Sequence, residues 1–225
     1  RNIMHFPTLI VDNFFDDTQK VLQVSEQLEF KDLPHKRWAG LRTDKMHEVN
    51  PSFFDYVSKK ITRLMFPSDY NNMIWHVEMY FSKTNPKDLK HPDWVHKDEA
   101  AEFTSIIYLS DHSCGTDICH LKNTFDSVPD SFGNEQFKYY RDTSAKEPKT
   151  KKDLDFKFED TINVKGRLNR MIVFDGNSWH RQQKFSEQDT QLKQDRLTLI
   201  SFFHQISTVP NTNRTNFPMT EMRRL

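Results

Sequence analysis

The chain has 225 residues and balances 32 Lys and Arg against 32 Asp and Glu, a net charge of zero that argues against a general nucleic-acid binder with its basic excess. Nineteen Phe exclude a disordered chain, because disordered segments lack the aromatic surface needed to offset lost chain entropy. Two cysteines are too few for a disulfide framework, and no apolar run nears the roughly 18 residues that span a bilayer. The expected setting is therefore a reducing, cytoplasmic one with no membrane partner, and Arg1-Asn2-Ile3-Met4 shows no signal-peptide pattern.

Thr8-Leu9-Ile10-Val11 reads as a short buried strand, and Asp16-Asp17-Thr18 as the cap of a helix through Val21, Leu22, Val24, Ser25 and Leu28. A second helix is predicted from Asn50-Pro51, a capping residue followed by proline at the first helical position. Its apolar face would hold Phe53, Phe54, Val57, Ile61, Leu64 and Met65. Past Pro67 the pattern turns to short strands: 74–81, 94–98, 103–109, 117–121, 169–174, 179–183 and 196–203. Many short strands with turn signals between them predict a sandwich or jelly roll, its one face covered by the early helices. A single domain over 1–225 is expected, with a helical part at about 1–70, a β core at about 74–204 and a polar loop at about 122–160. So long a loop reads as a lid or substrate clamp, and its Lys-rich centre at 149–152 as a solvated face.

His96-Lys97-Asp98 places two metal-ligating side chains two residues apart. On an extended backbone they share a face and Lys97 points away. One more imidazole would complete a two-histidine, one-carboxylate triad, which leaves coordination sites open for oxygen chemistry on Fe(II). His180, after the Asp175-Gly176 turn, is the best third ligand. His91-Pro92-Asp93 has the same spacing, but Pro92 suits a loop and the pair lies further from the strong 103–109 strand. His112, Cys114, Cys119 and His120 match no common zinc pattern and read better as containing buried free thiols.

His96-x-Asp98, then Ile106-Ile107-Tyr108-Leu109-Ser110, Gly115-Thr116, Asn169-Arg170-Met171-Ile172-Val173-Phe174, Trp179-His180 and Arg196-Leu197-Thr198-Leu199-Ile200-Ser201-Phe202-Phe203 follow one another in an order that resembles the prolyl-4-hydroxylase-like branch of the 2-oxoglutarate/Fe(II) dioxygenases. The likeness covers about residues 74–204, with an echo at Ile10-Val11-Asp12-Asn13-Phe14-Phe15. Cys114 and Ser110 depart from it, standing where glycine and asparagine are usual.

The resemblance implies a mainly β fold with flanking helices, a double-stranded β-helix of the cupin-like jelly-roll type. It implies Fe(II) on His96, Asp98 and His180, with 2-oxoglutarate as cosubstrate, dioxygen as oxidant and ascorbate as an accessory reductant. Arg196 would bind the distal carboxylate of 2-oxoglutarate, since a buried carboxylate needs a cation and the guanidinium fork suits it. Thr198 projects from the same face, Tyr108 would donate its hydroxyl to the same carboxylate, and Tyr80 would line the pocket. Arg170 reads as structural. Arg196 lies sixteen positions after His180, a long interval that leaves Lys193 as a rival cation. The expected reaction is hydroxylation of a peptidyl (prolyl), protein or small-molecule substrate, with release of succinate and carbon dioxide. Two other readings stay open: a jelly-roll binding module without catalysis, and a cupin-type metal enzyme that does not use 2-oxoglutarate.

Overall fold

The computed structural model describes residues 6–32, 40–87, 95–98, 100–122 and 158–208. Among them the chain runs β1 (Leu9–Val11), α1 (Thr18–Glu26), β2 (Leu41–Arg42), α2 (Met46–Val49), α3 (Pro51–Met65), β3 (Met73–Thr84), β4 (Phe103–Tyr108), β5 (Thr116–Leu121), β6 (Phe158–Val164), β7 (Arg170–Asp175), β8 (Trp179–Gln182), α4 (Glu187–Gln191) and β9 (Arg196–Thr208). The two expected helices start where their caps predict. The Asp17 carboxylate accepts from the Lys20 amide at 3.2 Å, and Asn50 Oδ1 accepts from the Phe53 amide at 3.1 Å ahead of Pro51. α3 buries Phe54, Val57 and Ile61, while Leu64 falls off that stripe and is exposed.

The strands form two antiparallel sheets, one of six strands in the order β1-β7-β4-β9-β3-β2 and one of three in the order β6-β5-β8. A bridge between His96 and His180 extends the smaller sheet. Alternation along β3 and β9 sends Val77, Met79, Phe81, Leu197, Leu199 and Phe203 into the core beneath α1 and α3. The opposite face of the large sheet meets the small one, where Tyr108, Ile172 and Phe174 pack on Ile118 and Val164. Two facing antiparallel sheets with helices on one side make the expected jelly roll.

Several boundaries differ from the expectation. β6 begins at Phe158, inside the span expected as loop, and its pairing with β5 has a register shift opposite Ile118 and Cys119. Asn169 is not a strand residue. Its backbone is left-handed (φ 63°) and both ends of its amide bond to the Phe15 backbone, at 2.8 Å each. The interval before Arg196 contains α4, started by a capping box in which Ser186 and Asp189 bond each other's amides. The short β2 and α2 were not expected. The His91–Asp93 pair and most of the polar loop, with its 149–152 centre, lie outside the described residues. No helix among the described residues is long and apolar enough to cross a membrane.

Candidate metal centre

His96 and His180 exchange backbone hydrogen bonds, each amide reaching the other's carbonyl at 2.9 Å, so the small sheet places both imidazoles side by side with ring centres 4.3 Å apart. Two residues on, the Asp98 amide bonds to Gly176 O at 2.9 Å and the Asp98 carbonyl accepts from Ala101. The alternation is as the spacing requires: Lys97 turns to the other side, its Nζ 4.7 Å from the centre of the Trp179 ring. A Cβ at Gly176 would lie 2.0 Å from Ala101 O, so the turn carrying His180 packs on the Asp98 loop only because residue 176 is glycine.

His96 Nε2 then lies 3.8 Å from Asp98 Oδ1, and His180 Nε2 lies 3.4 Å from Asp98 Oδ2. One donor atom from each residue lies within 4.8 Å of the others, and among the described residues this is the one cluster that could hold a metal ion. Donors at right angles on bonds of about 2.1 Å are about 3 Å apart, so a cluster whose donors lie within 4.8 Å of one another is wider than a bound ion would hold it. The tautomer also fits. His180 Nδ1 lies 3.0 Å from Ser178 O, a carbonyl that can only accept, so the proton is on Nδ1 and Nε2 is free to ligate. Burial alone would raise the Asp98 carboxyl, but the imidazoles of His180 and His96 in their charged form, the Thr104 hydroxyl and Arg42 outweigh it and hold it below the usual carboxylate range. Asp98 is therefore a ready anionic ligand at neutral pH.

Strand register lays out the inner face of the large sheet in rows. Thr104 of β4, flanked by Phe202 and Phe174, donates its hydroxyl to Asp98 Oδ2 at 2.7 Å and so marks the row beside the metal ligands. Two rows on, Ser82, Thr198 and Tyr108 stand abreast. Arg196, one step further along β9, is 6% exposed and its guanidinium carbon lies 5.5 Å from the Tyr108 ring centre. Arg196 Nε donates to Cys114 O at 3.1 Å and Nη1 to Gln182 Oε1 at 3.3 Å. Both partners are neutral, and among the described residues no carboxylate comes within ion-pair range of this buried cation. Thr198 Oγ1 beside it is buried with no hydrogen-bond partner among the described residues. A buried charge without a counter-charge and an orphaned hydroxyl on the same inner face are what a bound carboxylate would satisfy.

The other expected residues fall as follows. The Tyr108 hydroxyl pairs with Thr116 Oγ1 at 2.8 Å, and burial pushes its phenol up to about 12. Tyr80, half-buried, donates to Glu78 Oε2 at 3.0 Å; its ring faces Arg42, whose charge centre is 5.5 Å away. Lys193 is exposed, whereas Arg196 is buried. Arg170 is structural, forking onto Asp12 at 2.5 and 3.0 Å. Cys114 and Cys119 are buried free thiols in separate places, one donating to Gln183 O and the other beside Asp160.

Four further contributors were not anticipated. Thr104 supports Asp98, and Gln182 receives Arg196. Arg42 stacks on Tyr80 and Phe202, its pKa lowered to about 10 by burial. His204, the extra residue where the β3–β9 register shifts, donates from Nδ1 to Ala100 O at 2.8 Å beside the Asp98 loop. Thr104 had a signal, since it lies four residues before Tyr108 and so on the same face of one strand.

Fold and site together define a double-stranded β-helix with a two-histidine, one-carboxylate cluster at its small-sheet end. The chain belongs to DUF6445, a family of unknown function whose model matches residues 3–203. No curated protein matches the sequence. Solved structures share the fold. The non-haem α-ketoglutarate-dependent epimerase SnoN from nogalamycin biosynthesis is similar with TM-score 0.52 and 13% identity over 96% of this chain and 86% of that one. HygX from Streptomyces hygroscopicus, solved with nickel and 2-oxoglutarate, is similar with TM-score 0.53 and 11% identity over 88% of this chain and 83% of that one. SnoN in complex with Fe3+, α-ketoglutarate and nogalamycin RO gives TM-score 0.51 and 12% identity over 96% and 87%.

Proposed function

We propose that this protein is a 2-oxoglutarate- and Fe(II)-dependent oxygenase acting on a small-molecule substrate. The observation that carries the reading is the pairing of two sites on the facing inner surfaces: a metal-ready His96–Asp98–His180 cluster, and a buried Arg196 that lacks a carboxylate among the described residues. A catalytically idle binding module has no use for both, and a metal enzyme without 2-oxoglutarate has no use for the second. His96, Asp98 and His180 would hold the iron, and Arg196 with Thr198 would hold the distal carboxylate. The Tyr108 hydroxyl, able to accept from Thr116, is free to donate to that carboxylate. When bound, the metal would supply activation of dioxygen, one oxygen atom oxidising the keto acid to succinate with loss of carbon dioxide and the other oxidising the substrate. The chain's own residues fix the ligands, orient the cosubstrate along the inner face and exclude water through Ile106, Ile172 and Phe174.

The small-molecule class is supported by the likeness to SnoN with nogalamycin RO and to HygX with hygromycin B, small molecules both. Nothing in these neighbours supports the peptidyl or prolyl substrate that the sequence resemblance suggests. Hydroxylation is the reaction proposed, with ascorbate as a reductant of idle enzyme.

The test is an anaerobic titration of the protein with Fe(II) and then 2-oxoglutarate, followed by visible absorption. The expected result is a weak charge-transfer band, absent in His96→Ala and much weakened in Arg196→Ala. Iron binding without any response to 2-oxoglutarate would favour the cupin-type reading, and no iron binding the binding-module reading.

A further inference from the structure

Asp98 has an unusual support. Its side chain is fixed by one described hydrogen bond, from Thr104 Oγ1 to Oδ2 at 2.7 Å, while the two imidazole nitrogens stand off at 3.4 and 3.8 Å. Asp98 itself lies outside the regular strands, on a loop tied by its backbone to Gly176 and Ala101. Thr104, by contrast, is 1% exposed and sits mid-sheet, paired with Phe174 of β7 on one side and Phe202 of β9 on the other. A β-branched side chain on a doubly paired strand has little freedom at χ1. The partner fixed by regular sheet pairing in this contact is the threonine.

We propose that Thr104 is a positioning residue for the metal centre, its hydroxyl holding Asp98 Oδ2 so that the carboxylate meets the metal through one oxygen only. This rests on the iron reading given above. The reason lies in counting coordination sites. A carboxylate can bind a metal through one oxygen or both. With two histidines and one carboxylate oxygen, an octahedral ion keeps three open positions. A keto acid that chelates through two atoms would need two of them and leave one. A second oxygen from Asp98 would occupy one of those three. The hydroxyl donated to Oδ2 takes up a lone pair there and pins the carboxylate plane to the sheet.

The experiment uses the whole chain with Co(II) as probe, without cosubstrate, in wild type and in Thr104→Val, Thr104→Ser and Thr104→Ala. Co(II) affinity, the visible d–d spectrum and the melting temperature of the metal-free protein are measured together. Valine keeps the shape and removes the donor, so the expected result is a loss of Co(II) affinity of about 10- to 100-fold with an altered d–d spectrum. The metal-free melting temperature should stay close to wild type. Serine restores the donor and should bind Co(II) within about threefold of wild type, with the wild-type spectrum. If valine destabilises the fold, the serine–alanine comparison isolates the hydroxyl in the same way. Wild-type affinity and spectrum in both valine and alanine would overturn the proposal, as would equal losses in serine and alanine, which would mean packing alone. Failure of wild type to bind Co(II), or binding that survives His96→Ala, would instead remove the metal centre itself and the proposal with it.

Discussion

Replacing Arg196 with methionine separates its role in the fold from its role toward a ligand. Within the protein the guanidinium donates to two neutral oxygens, Cys114 O and Gln182 Oε1. Hydrogen bonds from a charged donor contribute about 1.5–3 kcal/mol each, so their loss costs a few kcal/mol. Against this stands the penalty of burying a cation without a counter-charge, which is itself several kcal/mol. The two nearly offset, and methionine fills much of the same volume beside the Tyr108 ring. Stability is therefore expected to change by no more than about 2 kcal/mol, a melting shift of at most about 8 °C for a chain of this size. Ligand binding has no such compensation. Removing one partner of a buried, hydrogen-bonded charge pair costs about 2–5 kcal/mol, which is roughly 30- to 5,000-fold in Kd. Calorimetric titration of 2-oxoglutarate into the Fe(II)-loaded protein under nitrogen reads this directly, with Lys193→Ala as the control that should not change. Binding of 2-oxoglutarate to Arg196→Met within threefold of wild type, at retained fold, would refute the assignment of the carboxylate site.

Gly176→Ala should damage the metal centre from outside its ligands, because the new Cβ would sit 2.0 Å from Ala101 O and 3.0 Å from Asp98 O. The expected outcome is a loss of about 1–3 kcal/mol in stability with weakened Co(II) binding, read by thermal melting and metal titration; an unchanged Co(II) affinity would count against it. The thiols should report burial. Burial pushes Cys114 up to about 11 and Cys119 to about 12. Both should resist a disulfide thiol reagent at pH 8 in the native protein and react on unfolding. The linkage sign follows: above the ordinary thiol value of 9.0 the unfolded chain releases thiol protons that the native state keeps. Their contribution to stability is thus present below that pH and declines as pH rises towards the folded values. A stability profile that rises from pH 9 to 10 would contradict this placement.

What was legible in the sequence is what depends on one strand's own periodicity. His96 and Asp98 share a face because they are two residues apart on extended backbone, and Arg196 and Thr198 do so for the same reason; no knowledge of partners is needed. The caps of α1 and α3 were legible too, since a cap and its amide are local. β6 was hidden because Glu159, Asp160 and Thr161 put three exposed polar residues in a row between Phe158 and Ile162, so only its two ends are buried and no alternating apolar run marks it. The supporting residues were hidden for a different reason. Gln182 matters only because the end of β8 meets the start of β9, and Arg42 only because a two-residue strand pairs with Lys83 and Ser82 at the sheet edge. Neither fact has a local signature. The consequence is that the residues proposed to hold metal and cosubstrate are the ones a sequence exposes, because chemistry restricts their types. Those that set geometry are chosen by long-range pairing, and Thr104 lies between the two: its face can be read from β4 alone, but its partner cannot.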